Sequence, residues 1–151
     1  MSDVATVQQE VGEVLVSDLG LDGVRHSPSG GLAVSVEGTE VFIDIFPRGG
    51  PEGSAGTVVS VYAPIGAAVP ITPELLGWIA QQSGAWVFGH VVVAPDADAP
   101  DQCFLTMSHN LLGEFLNRVE LSSVLIAVSA SAAVLAGQVS ERFGGAEAPT
   151  A

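Results

Sequence analysis

The residues able to do chemistry are few and lie far apart in the chain. His90 and His109 flank a turn between two expected strands and are expected to approach each other on one sheet face. Two imidazoles without a third ligand do not make a zinc site. Cys103 sits between Gln102 and Phe104, with no basic neighbour to lower its pKa. On a strand, His109 would point the same way as Cys103 but about 20 Å along it, too far for a nucleophile and its base. Asp96, Asp98 and Asp101 resemble a fragment of a calcium loop, yet the sixth-position glycine and the twelfth-position glutamate are missing. A solvated turn is the expectation there. The glycine-rich stretch 48–56 leads into a strand, and the chain has no lysine, so it does not match a phosphate cradle. No catalytic residue, metal ligand or cofactor follows from these positions.

One acid stands apart. Val41, Ile43 and Ile45 alternate along one strand, and Val59, Val61 and Ala63 along another, which gives a sheet an aliphatic face suited to helices. The opposite face would then carry Phe42, Asp44 and Phe46, with Ser60 and Tyr62 beside them. Aromatics mixed with a hydroxyl and an acid are what a partner site looks like. Trp86 and Phe88 are expected to extend it. The other outcome is a helix covering this face too, with Asp44 at its edge.

These residues belong to a chain of 151 residues that is 48% hydrophobic, with 17 acids against 4 arginines and a net charge of −13. Such a charge repels nucleic acid and anionic lipid, because phosphate binding runs on cationic side chains. A mean hydropathy of +0.47 does not fit a disordered body. The segment Leu121 to Ser140 runs twenty residues without a charge, but five are serine and no basic cluster flanks it. It reads as a buried helix, without membrane insertion. One cysteine forms no internal disulfide, and the first ten residues lack the basic and apolar regions of a leader. A cytoplasmic protein is the expectation.

The elements follow from periodicity. Val4, Val7, Val11, Val14, Leu15 and Leu19 share a helical face, which predicts a helix over 3–19, capped by Ser2 or Asp3 and stopped at Gly20. Leu32 to Val36 and Val41 to Ile45 alternate about the turn Glu37-Gly38-Thr39 and predict a hairpin. A third strand is expected over 57–65. Thr72-Pro73-Glu74 opens a second helix that ends at Gly84. Strands over 85–95 and 102–110 follow. Asn117 opens the longest helix, whose core seam is Leu121, Leu125, Val128, Ala132, Leu135 and Val139. Its other side is small: Ser122, Ser129, Ala130, Ala133, Gly137 and Ser140. The predicted fold is α+β, one domain over 1–145 in the order α-β-β-β-α-β-β-α, with an antiparallel sheet, packed helices and a disordered tail at 146–151.

That order, in a small acidic chain, resembles the type III secretion chaperone fold, and in particular its YbjN-like branch in actinobacteria. The matching residues are Phe42-Ile43-Asp44-Ile45, Thr72-Pro73-Glu74-Leu75-Leu76, Leu111-Leu112-Gly113-Glu114-Phe115-Leu116 and Arg142-Phe143-Gly144-Gly145. The resemblance implies a non-enzymatic, often dimeric protein that holds an extended client segment on apolar sheet and helix surface. The partner-binding residues would be Phe42, Asp44, Phe46, Ser60, Tyr62, Trp86 and Phe88. Two other readings stay open. One is a small-molecule sensor or enzyme with a pocket near His90, His109 or Asp44. The other is a structural homodimer, with Trp78 or the small side of the last helix as its seam.

Overall fold

The computed structural model describes residues 3–50 and 55–146. Helix α1 (Val4–Glu13) starts where the Asp3 carboxylate accepts the Thr6 N–H at 2.8 Å. It then widens into a π-helical turn, Val14–Asp18, in which the Leu19 N–H reaches back to the Val14 carbonyl. Gly20, at φ 60°, ends it. Helix α2 (Pro73–Gln82) is capped by the Thr72 hydroxyl, which accepts the Leu75 N–H at 3.1 Å. Helix α3 (Arg118–Phe143) begins where the Asn117 side-chain carbonyl accepts from Val119 and Glu120. All six seam residues predicted for α3 are buried, joined by Val124, Ser129 and Ser131.

Six strands form one antiparallel sheet: β1 (Arg25–His26), β2 (Leu32–Val36), β3 (Thr39–Arg48), β4 (Gly56–Pro70), β5 (His90–Pro95) and β6 (Gln102–Leu112), in spatial order β1-β2-β3-β4-β6-β5. The α+β class with helices on an antiparallel sheet is as the periodicity predicts. The differences lie in the strands. A short strand, β1, is added at one edge. Strand β4 runs five residues past Ile65, because two register shifts, between Pro64 and Gly66 and between Gly66 and Val69, let it bend and resume pairing at Val69 opposite Cys103. Ala68 takes φ 50° within this irregular stretch. Strand β5 starts at His90 rather than 85, since Gly89 sits at φ 93° and breaks the extended run. Strand β6 continues to Leu112, two residues further than predicted. Ala146, expected in a disordered tail, makes an antiparallel bridge with Ala67. Residues 147–151 of that tail, and 51–54 of the glycine-rich loop, lie outside the described residues.

All three helices choose the same side of the sheet. Val7, Val11, Val14 and Leu15 of the first helical segment, Leu75 and Trp78 of α2, and the α3 seam share one core with Val34, Val41, Ile43, Val59, Val61, Ala63, Leu105, Met107 and Leu111. Burying each large aliphatic side chain of that kind contributes about 1.5–3 kcal/mol relative to exposure. Phe42 and Ala33 are also buried but stand outside this core, on the reverse face.

Candidate functional site

The reverse face is built by register. Across β3, β4 and β6, Phe46, Val58 and Leu112 form one row; Asp44, Ser60 and Asn110 form the next; Phe42, Tyr62 and Ser108 form the third. Ala33 continues the third row on β2 and His90 continues it on β5. Alternation along each strand makes this assignment, and no helix contributes to these rows. Phe42, Asp44, Phe46, Ser60 and Tyr62 therefore do share a face, and the helix that would have covered it is not there among the described residues.

At the centre, Phe42 and Tyr62 stack with ring centroids 5.4 Å apart and planes 16° from parallel. Tyr62 donates its hydroxyl proton to Asp44 Oδ2 at 3.0 Å, and Ser29 donates to Asp44 Oδ1 at 2.6 Å. Ser27 and Ser29 hydrogen-bond in turn at 2.7 Å. Gly31 makes this approach possible, because a Cβ there would collide with the Asp44 carboxylate and the Ile43 carbonyl. Burial, the neighbouring Asp44 charge and its acceptance of the phenolic proton push Tyr62 up to about 12. The phenol thus stays a donor throughout the neutral range.

At the end of the face, Arg48 donates to Glu114 Oε1 at 2.8 Å while the Thr57 N–H donates to Oε2 at 3.0 Å. The arginine, the Thr57 amide and the residue's own amide hold the Glu114 carboxyl down to about 2. Gly56 leaves the space that this carboxylate fills. The clasp ties the 3₁₀ turn Gly113–Phe115 to β4; on the face itself Leu112 is 43% and Phe46 45% exposed, and Phe115 in the turn is 76% exposed. Phe42, by contrast, is only 9% exposed. The exposed large apolar side chains of this face are consequently Phe46 and Leu112 of one row and Phe104 further along β6, with Tyr62 half-buried.

Trp86 and Phe88 do not extend this face. Both pack against the helix-side core, and the Phe88 ring meets His109 edge-on at 5.5 Å. His90 and His109 are likewise apart: His90 shares the reverse face with Ser108, while His109 points to the helix side with Val61 and Met107. In the β5–β6 register His90 lies opposite Ser108, so His109 falls on the other parity. His109 Nδ1 accepts the Gly89 N–H at 3.0 Å, and burial lowers its pKa against a smaller opposing pull from Glu120. It lines a groove of about 270 Å³ with Glu120 and Phe115. A larger groove of about 480 Å³ lies between the β2–β3 turn, the β4 irregularity and the end of α3, lined mainly by glycine and alanine. Neither includes Asp44. Cys103 is buried, which raises its pKa and keeps it a thiol. Asp96 accepts the Asp98 N–H at 2.9 Å in a turn, and among the described residues no three potential ligands gather to hold a metal.

Sequence reasoning missed Ser29 and Gly31, which reach Asp44 from a loop, and Val58, Leu112 and Phe104, which join Phe46 in the apolar surface of this face. Leu112 had a signal: it keeps the parity of Ser108 once β6 is allowed to continue. The Arg48–Glu114 clasp spans 66 residues and has none. No protein-family model and no curated protein matches this chain.

Proposed function

We propose that this chain is a non-enzymatic protein-binding module, a chaperone or adaptor that holds an extended client segment on the helix-free face of its sheet. The observation that carries this reading is the uncovered apolar row Phe46, Val58 and Leu112, on a chain whose other large apolar residues mostly fill one core. Contiguous exposed apolar surface with a polar surround marks interaction sites on soluble proteins. Asp44, Ser60 and Asn110 supply that polar border. The secretion-chaperone resemblance points the same way, and the fold class agrees with it. Trp86 and Phe88 drop out of the site because they face the core.

Panning a displayed peptide library against the wild-type protein and against a Phe46→Glu, Leu112→Glu double variant tests the reading. Enriched peptides on the wild type, lost on the variant, support it. Equal enrichment on both proteins, with the variant folded by circular dichroism, places binding elsewhere and defeats it.

A second copy of the chain is the other partner we propose, in line with the dimers of the resembled family. Outward residues of α3, among them Ile126, Ala130, Ala133, Val134 and Gly137, are exposed and uncharged on a molecule of charge −13. That side is where two copies meet with least repulsion. By length and composition α3 is also long and apolar enough to cross a bilayer, but its seam fills the core of this fold. We assign it to the core of a cytoplasmic protein. Sedimentation velocity of the wild type and of an Ile126→Glu, Val134→Glu variant checks the dimer: a monomer in both removes it.

A further inference from the structure

The acids of this protein sit mainly in turns and on helix surfaces, and Asp44 is the one placed in the middle of a strand row. Among the described residues its charge has no cationic counterpart. Each of the four arginines is engaged elsewhere: Arg25 with Glu40, Arg48 with Glu114, Arg118 with Asp18 in a two-point contact, and Arg142 over the Phe143 ring. There is no lysine. A partly buried carboxylate without a cation costs stability unless hydrogen bonds offset it. Ser29 and Tyr62 supply one to each oxygen. A carboxylate has about four acceptor positions, so roughly half of the capacity of Asp44 stays open.

We propose that Asp44 is the point at which this face recognises an arginine of the bound segment, with an apolar residue of that segment seated on Phe46 and Leu112. The inference rests on the helix-free face being the client site. Arginine fits better than lysine, because a guanidinium can lie flat against an aromatic ring while donating two hydrogen bonds to a carboxylate. The half-buried Tyr62 ring stands beside the carboxylate, held parallel to Phe42. The Asp44 row and the Phe46 row are two residues apart along β3, about 7 Å. An extended segment presents alternate side chains on one side at the same interval, so the pattern recognised is apolar, any residue, arginine. Ser60 and Asn110, lateral to Asp44, bring no competing charge.

The overall charge would draw any cationic peptide, so the test must separate Asp44 from that general attraction. Two blocked peptides of about eight residues, enough to span the paired length of the face, alternate leucine with arginine or leucine with neutral citrulline. Binding to wild type, Asp44→Asn and Asp98→Asn proteins is read by fluorescence anisotropy at physiological salt, where general attraction is screened within about 8 Å. Asp98→Asn makes the same change in net charge at an exposed turn. The expected result is arginine preferred over citrulline by about tenfold on the wild type, a range in which partly desolvated charge pairs operate. Asp44→Asn abolishes the preference, whereas Asp98→Asn retains it. Equal binding of both peptides to the wild type overturns the role of Asp44 and leaves the face as the client site. Binding of neither peptide overturns both. If Asp44→Asn does not fold, the wild-type preference is located by the ring resonances of Tyr62, the single tyrosine: a preference that leaves those resonances unmoved counts against Asp44.

Discussion

Tyr62 is the single tyrosine of the chain, so its ionisation can be read without interference from any other phenol. In the fold it ionises near 12 rather than its ordinary 10, through burial first and the Asp44 carboxylate second. Two units correspond to about 2.7 kcal/mol between the protonation states. Tyr62 is only half-buried, and solvent screening reduces its contribution to stability to about 1 kcal/mol. Because the folded pKa is raised, that contribution is complete below pH 10, the unfolded value, and is lost as pH rises towards 12. Replacing Asp44 by Asn removes the charge and weakens the acceptor, while the ring stays buried. The expected midpoint in Asp44→Asn lies between 10 and the wild-type value, since burial, the largest cause, remains. The assay is ultraviolet difference absorbance of the phenolate against pH, with far-ultraviolet circular dichroism on the same samples to confirm that the fold persists. A wild-type midpoint at 10 in folded protein, or a midpoint unmoved by Asp44→Asn, would refute the coupling of these two residues and remove the geometry on which the arginine site depends.

Three further expectations concern the surrounding structure. Glu114 is held down to about 2 by Arg48 and the Thr57 amide, so its contribution to stability is present above pH 4.5 and disappears as pH falls from 4.5 towards 2; Glu114→Gln should flatten the stability profile in that window, and an unchanged acid profile in chemical denaturation contradicts the clasp. His109 is kept neutral by burial while its Nδ1 accepts from Gly89, so stability should be constant above pH 6.5 and decline below it. His109→Gln, which keeps an acceptor but does not titrate, should lose that decline. Ala68 occupies φ 50°, a region that costs a side chain about 1 kcal/mol or more, and Ala68→Gly should raise the denaturation midpoint; a lowered midpoint would show that this backbone is not strained.

The sequence by itself determined the local structure wherever a local rule suffices. Thr72 and Asn117 cap their helices as their types and positions demand, and Asp3, one of the two candidates with Ser2, caps the first, because a cap needs only an oxygen within three residues of a free N–H. Period-two alternation placed Phe42, Asp44 and Phe46 on one side of β3, since successive strand side chains point oppositely whatever the sheet's neighbours are. The core seam of α3 was legible for the same reason at period 3.6. Tertiary structure decided the rest. The aliphatic face suited to helices was legible, but whether a helix covers the opposite face too is settled only when α1, α2 and α3 all bury their apolar sides on Val41, Ile43 and their neighbours. A single residue of register separates His90 and His109 onto opposite faces, and turn lengths read from sequence do not resolve one residue. Trp86 and Phe88 went to the core because Gly89 turns the chain before β5 begins, a bend held by a hydrogen bond from across the sheet. Asp44 shows both halves of the lesson: its strand position was visible in the sequence, but Ser29, Gly31 and Tyr62 converge on it only once the loop and two strands are brought together by long-range pairing.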